Sequence, residues 1–134
     1  MDKIKVYNLK DLNEIRSDDR GWIAQIENFA RSHDFKIKSF YVGTILPGKA
    51  RGNHYHLQKK EWIFIFGGKY IFAWEDEGVI LQREIGEEQF LIFEVKNGCA
   101  HAIKNISDKQ IFVCVFNDQA FDQKKADTYK KNII

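Results

Sequence analysis

Three side chains able to bind a metal or move a proton lie close together in residues 48–68, GKARGNHYHLQKKEWIFIFGG. Their spacing is Gly48-x5-His54-x-His56-x4-Glu61-x6-Gly68. Side chains alternate across a strand, so His54 and His56 are expected to project from one face and Tyr55 from the other. A short turn through Leu57 to Lys60 then returns Glu61 toward them as the second arm of one hairpin. Two imidazoles and a carboxylate make up most of the donor set that a divalent metal of the zinc, iron, nickel or manganese kind requires. The best supplier of a further ligand lies downstream, in Gly98-Cys99-Ala100-His101-Ala102-Ile103-Lys104-Asn105. Cys99 and Cys114 read as small buried residues in a reducing compartment. At Cys99 a second reading stays open, as a thiolate reaching the same cavity.

The elements that must hold these groups read as strands. Residues 4–7, 22–29, 36–46, 61–66, 69–74, 79–85, 89–95, 101–106 and 111–116 are β-rich or alternating runs. They are separated by turns such as Pro47-Gly48, Gly67-Gly68, Asp76-Glu77-Gly78 and Lys96-Asn97-Gly98. About eight to ten strands with turn signals about every 8 to 12 residues indicate an all-β sandwich or barrel. Residues 31–34 are expected to be a loop with His33 at the surface. In the polar tail, 118–134, a helical turn is expected at 126–131, and Lys124, Lys125, Lys130 and Lys131 form a solvated face. Aromatics take every second position in Trp62, Phe64, Phe66, Tyr70, Phe72 and Trp74, opposite Ile63, Ile65 and Ile71. A hairpin apolar on both faces must be covered on both, by the cavity and by a second sheet or subunit, so a homodimer is expected.

With 134 residues and 44% hydrophobic content, the chain suits one domain, 1–134, with its own core. The 21 basic and 19 acidic residues are interspersed and leave a net charge of +2, so overall charge offers nothing to nucleic acid or a membrane surface. The N-terminus has no apolar core of a secretion signal, and no run is long enough to span a bilayer. A cytoplasmic location is expected.

These motifs resemble the cupin superfamily. Residues 48–68 fit its first motif at every position, and Gly98-x2-His101-x3-Asn105 fits the end of its second, with Lys96 where that motif usually carries proline. The resemblance implies a single-domain cupin jelly-roll barrel in which His54, His56, Glu61 and His101 hold a divalent metal, zinc first, with iron, nickel or manganese as alternatives. Asp19-Arg20-Gly21 followed by Arg51-Gly52-x-His54 resembles the nucleotide-sugar cupins, the 4-keto-6-deoxyglucose epimerases and 3,4-ketoisomerases. RGNHYH, Asn105-Ile106-Ser107-Asp108, Phe121-Asp122 and Ala126-Asp127-Thr128-Tyr129 are similar to the C-terminal cupin domain of bifunctional capsular-polysaccharide enzymes.

The implied function is an epimerase or isomerase acting on a nucleotide-activated 4-keto-6-deoxy sugar in surface polysaccharide synthesis. This chain has no room for the reductase of the bifunctional enzymes, so a separate reductase is expected to act on the product. Removing a proton beside a ketone needs a base near the carbon and positive charge or hydrogen-bond donors at the oxygen. By resemblance His54 is the base or a metal ligand, two roles that exclude each other. Tyr41 and Tyr70 are the candidates to return the proton from the other face, and Arg51 and Arg20 those to grip the diphosphate, because a guanidinium fork matches paired phosphate oxygens. Two other readings use the same residues: an iron-dependent cupin dioxygenase, and a non-catalytic module that binds a sugar or effector.

Overall fold

The computed structural model describes residues 3–33, 35–122, 124 and 126–134. In chain order the elements are β1 (Ile4–Asn8), β2 (Ile15–Asp18), β3 (Gly21–Ala24), α1 (Glu27–Ser32), β4 (Ser39–Ile45), β5 (Ala50–Tyr55), β6 (Glu61–Phe66), β7 (Tyr70–Asp76), β8 (Val79–Ile85), β9 (Leu91–Val95), β10 (His101–Asn105), β11 (Ile111–Asn117) and β12 (Tyr129–Lys130). Two antiparallel five-stranded sheets run β1-β9-β6-β11-β4 and β12-β5-β10-β7-β8, and β2 and β3 form a separate two-stranded sheet. The core lies between them. Ile63, Ile65, Phe93, Val113 and Val115 of the first sheet meet Tyr70, Phe72, Ile85 and Ile103 of the second. Phe72 and Phe93 stack across the gap with ring centroids 4.0 Å apart. This is the all-β jelly roll that the motifs imply.

The strands around the motif connect differently from the sequence expectation. β5 and β6 are not arms of one hairpin, and neither are β6 and β7: β6 pairs with β9 and β11, whereas β5 and β7 both flank β10. Each turn carries the chain from one sheet to the other. Trp62 and Phe64 therefore face out of the sandwich, while Tyr70 and Phe72, after the crossing at Gly67-Gly68, face in. A continuous alternation in sequence thus serves two different faces.

The chain itself covers the outer face of β6. Leu9, Ile15, Ala24, Ile26, Phe29 and Phe35 pack on Trp62, Phe64, Phe90 and Ile92. Residues 22–29, expected as one strand, divide into β3 and α1, and α1 takes in part of the expected 31–34 loop. The reason is a partner distant in sequence: the buried carboxylate of Glu14 accepts the Phe29 N–H at 3.1 Å, a donor that the first helical turn would otherwise leave free. His33 is half-buried rather than fully solvated, and it stacks on Phe29 with centroids 4.4 Å apart.

The tail forms no helical turn at 126–131. β12 instead adds to the edge of β5, and Asn53 Oδ1 accepts from the Ile133 N–H. Lys124, Lys130 and Lys131 are exposed, Lys131 pairing with Glu75 at 2.5 Å, and Lys125 lies outside the described residues. No helix among the described residues is long and apolar enough to cross a membrane.

Candidate metal and substrate site

The site begins with a β-bulge. On β5 and β10, His54 stands opposite His101, and the next pair is Gly52 opposite Ala102, which leaves Asn53 unpaired between them. Gly52 and Asn53 both take left-handed backbone angles, φ 93 and 54. A Cβ on Gly52 would stand 2.8 Å from the His101 carbonyl oxygen and 2.9 Å from Ala102 Cα. Only glycine lets the two histidine-bearing strands come this close. Glu61 opens β6 in the facing sheet, so the cluster spans both layers. One ligand atom from each of His54, His56, Glu61 and His101 lies within 4.8 Å of the others. These are the four residues that the resemblance implied.

The hydrogen bonds test whether this set suits a cation. His56 Nδ1 donates to the carbonyl of Asp127 at 2.6 Å, and His101 Nδ1 donates to the carbonyl of Cys99 at 3.0 Å. A carbonyl can only accept, so both Nδ1 atoms carry hydrogen, and in the neutral rings both Nε2 atoms present lone pairs. Those lone pairs face one carboxylate oxygen, Glu61 Oε1, at 3.1 and 3.2 Å. Three acceptors in a pocket where these residues are 2–4% exposed repel one another unless a positive charge lies among them. Second-layer carbonyls that fix each imidazole are also what metal-binding histidines need. The donor set therefore fits a divalent cation.

With no cation bound, burial pushes the Glu61 carboxyl up, but hydrogen bonds and charge from His101 and His56 in their protonated forms outweigh it and hold the group well below the usual carboxylate range. His54 differs from the other two imidazoles, because no hydrogen bond to it is found among the described residues. Burial, then the nearby His101 and His56, pushes it down to about 4, so it is neutral in neutral solution.

The cluster opens into a cavity of about 1360 Å³. Tyr41, on the inward face of β4, lines it opposite His54. Burial, then the charge of Glu61, pushes the Tyr41 phenol up to about 12 against a smaller opposing effect of Arg51. Tyr70 does not reach this cavity. It pairs with Asn105, well along β10 from His101, and its ring lies in the closed core at 1% exposure.

The arginines are also displaced from the expected position. Arg20 lies in a separate cleft on the β2–β3 hairpin, where it pairs with Asp18 at 2.5 Å. Arg51 lies outside the cavity lining, its Nε donating to the Thr44 carbonyl at 2.8 Å. The cations that line the cavity are Lys38 and Lys59, neither with an ion-pair partner among the described residues. Cys99 is not part of the cluster: its thiol contacts the carbonyls of Glu75 and Ala100 at 3.6 Å, and burial pushes it up to about 11.

Sequence reading also missed the strap that closes one side. The Asp127 carboxylate accepts the N–H groups of Leu57 and Gln58 at 2.8 Å and of Lys59 at 3.1 Å, fixing the turn that leads from His56 to Glu61. Asn117, Phe121 and Tyr129 complete the wall. Asp127 stood within a motif already singled out, but its role depends on a contact about seventy positions away in the chain.

A reductase from Pseudomonas aeruginosa, UDP-2-acetamido-2,6-beta-L-arabino-hexul-4-ose reductase, is 30% identical over 117 residues, 86% of this chain and 30% of the relative. The chain thus spans about a third of the length of that curated relative. Among solved structures, the capsular polysaccharide assembling protein CapF from Staphylococcus aureus superposes with a TM-score of 0.67 at 21% identity, over 89% of this chain and 32% of CapF. A mutant of the 3,4-ketoisomerase QdtA from Thermoanaerobacterium thermosaccharolyticum superposes with a TM-score of 0.76 at 13% identity, over 98% of this chain and 89% of QdtA. At these identities the two superpositions speak to the fold. Residues 16–129 match the model of the polysaccharide biosynthesis C-terminal domain, and the chain belongs to that family.

Proposed function

We propose that this chain, as one cupin domain over residues 1–134, is an epimerase or isomerase acting on a nucleotide-activated 4-keto-6-deoxy sugar in surface polysaccharide synthesis. The observation that carries this reading is the meeting of His54 and Tyr41, from opposite sheets, in one cavity beside His56, Glu61 and His101. Membership of a polysaccharide biosynthesis family supports it. So do the bound TDP-4-keto-6-deoxyglucose of the QdtA structure and the 4-keto-6-deoxy sugar epimerase NovW, which shares the fold with a TM-score of 0.71.

The His56 and His101 rings are each fixed by a backbone carbonyl, and His54, with no such partner among the described residues, is the imidazole we assign as the base. His56, Glu61 and His101 are then the metal set, and zinc suits these nitrogen and oxygen donors with a position left open. A divalent metal held there would supply positive charge at the ketone oxygen. His54 takes the proton from the carbon beside the ketone, and the C–H electron pair moves to the oxygen as an enolate. Tyr41, kept protonated by its raised pKa, returns a proton from the other sheet. Return to the same carbon on its other face inverts it; return to the former carbonyl carbon, with the neighbouring hydroxyl giving up its proton to the old ketone oxygen, moves the ketone. Lys38 and Lys59 hold the diphosphate. The product keeps its ketone, so a reductase is the class of enzyme that consumes it.

The test is proton exchange. Incubation with TDP-4-keto-6-deoxyglucose in deuterated water is expected to place deuterium beside the ketone, and His54→Asn is expected to slow this by about 10²–10⁴-fold. No exchange by the metal-loaded protein overturns the reading, and oxygen consumption in its place would favour a dioxygenase.

A homodimer belongs to the same proposal, on a different surface from the one expected. The outer face of β6 is covered within the chain, whereas Phe40 and Val42 on edge strand β4 are 68% and 64% exposed. They continue into the half-buried Phe116 on β11, and an apolar face of this kind calls for a cover. Light scattering at micromolar concentration should give twice the chain mass; a monomer mass removes the proposal.

A further inference from the structure

Asn117 ends β11 on its inward face, in register between Glu61 of β6 and Ser39 of β4, and lines the cavity. Its residue exposure is 3%, yet its Oδ1 has no hydrogen-bond partner among the described residues. The backbone there is satisfied, the Asn117 carbonyl accepting the Lys38 N–H at 2.8 Å. Buried carboxamides are normally paired, because an unmet donor or acceptor has lost its water without replacement. Tyr70 Oη and Asp76 Oδ1, neither in the cavity lining, also lack a partner among the described residues, but the other buried asparagine is fully paired. Buried Asn105 donates from Nδ2 to the carbonyls of Ile45 and Lys109, and its Oδ1 accepts from the N–H and hydroxyl of Ser107. Asn117 is left open where the wall meets the metal-binding cluster, on the same face of the first sheet as Tyr41.

We propose that Asn117 recognises the α-hydroxyketone edge of the sugar, Nδ2 donating to the ketone oxygen and Oδ1 accepting from the hydroxyl on the next carbon. The inference rests on the 4-keto-sugar reading above and adds to it a requirement for that hydroxyl. A carboxamide presents one donor and one acceptor side by side, and an α-hydroxyketone presents an acceptor and a donor on neighbouring carbons. The pairs are complementary, and rotation of the amide through half a turn exchanges them without changing the match. Asn117 is thus a specificity-determining residue. A buried polar group of this kind rejects an analogue that leaves it unpaired far more strongly than an apolar wall would.

The test compares calorimetric binding of TDP-4-keto-6-deoxyglucose with that of its analogue lacking the hydroxyl beside the ketone. The metal-loaded wild type, Asn117→Ala and Asn117→Leu are measured with both, and with TDP alone. The wild type is expected to favour the hydroxylated sugar by about tenfold or more, the variants to bind both within about twofold, and all three to bind TDP alike. The ligand-free leucine variant is expected to melt at or above the wild-type temperature, since no hydrogen bond is lost; a structural asparagine would give a clear drop. Equal affinity of the wild type for the two sugars, discrimination that persists in both variants, or a lower melting temperature with loss of TDP binding overturns the role of Asn117 alone. Failure of the wild type to bind either sugar takes the 4-keto-sugar reading down with it.

Discussion

Glu61→Gln is expected to strip the chain of divalent metal while leaving its shape intact. The carboxylate supplies the only negative charge among the four clustered residues, and both imidazoles with fixed Nδ1 hydrogens converge on its Oε1. Glutamine matches it in size but is neutral. Second-layer partners alone are worth about 10–100-fold in metal affinity, so loss of this ligand should exceed about a hundredfold, read by chelator competition and by metal retained after dialysis. Retention equal to wild type would dismantle the metal centre.

Melting under chelator, followed as a function of pH, gives a second readout. The folded Glu61 carboxyl lies below its ordinary value, so its contribution to stability is complete above about pH 4.3 and fades as pH falls through the lowered value. Wild type should lose stability over that acid range, and the glutamine variant should lack this part of the decline.

Asp127→Ala is expected to give the next largest effect without touching any proposed ligand. One carboxylate holds three consecutive N–H groups at residues 57–59, and the carbonyl of the same residue orients His56. With the carboxylate gone, that turn loosens and His56 loses its fixed approach to Glu61. Metal affinity should fall about 10–100-fold, and hydrogen exchange at Leu57, Gln58 and Lys59 should quicken. Burial pushes the Asp127 carboxyl up, but the backbone donors outweigh this and hold it low. Its contribution is therefore present above about pH 3.9 and lost as pH falls through the lowered value. Unchanged exchange at 57–59 would mean that the tail carries no such function.

The ligand residues were legible in the sequence because a local spacing carries them: His54 and His56 share a face, and Glu61 follows within reach. The jelly roll was legible from turn spacing together with the motifs. What remained hidden depends on register between distant strands. Alternation alone cannot tell the mouth of a barrel from its interior, so Tyr41 and Tyr70 looked equivalent until β10 put Asn105 beside one of them. Asn117 and Lys38 acquire meaning only from β11 lying between β4 and β6, and Asp127 only from the tail returning across β5. Arg20 was misread for the opposite reason, since a local partner, Asp18, already occupies it. The strand expected at 22–29 failed because Glu14, a buried acceptor fifteen residues upstream of Phe29, stabilises a helical turn there.

The proposed metal set draws Glu61 from one layer of the sandwich and His101 from the other. A cation bound there acts as a rivet between the layers, and it can close only after they have docked, because no single layer or local loop holds the whole set. Its binding energy is thus absent from early folding events and present in the finished barrel. Loading the site should leave the rate of folding nearly unchanged and slow unfolding, giving the protein kinetic endurance that depends on metal supply.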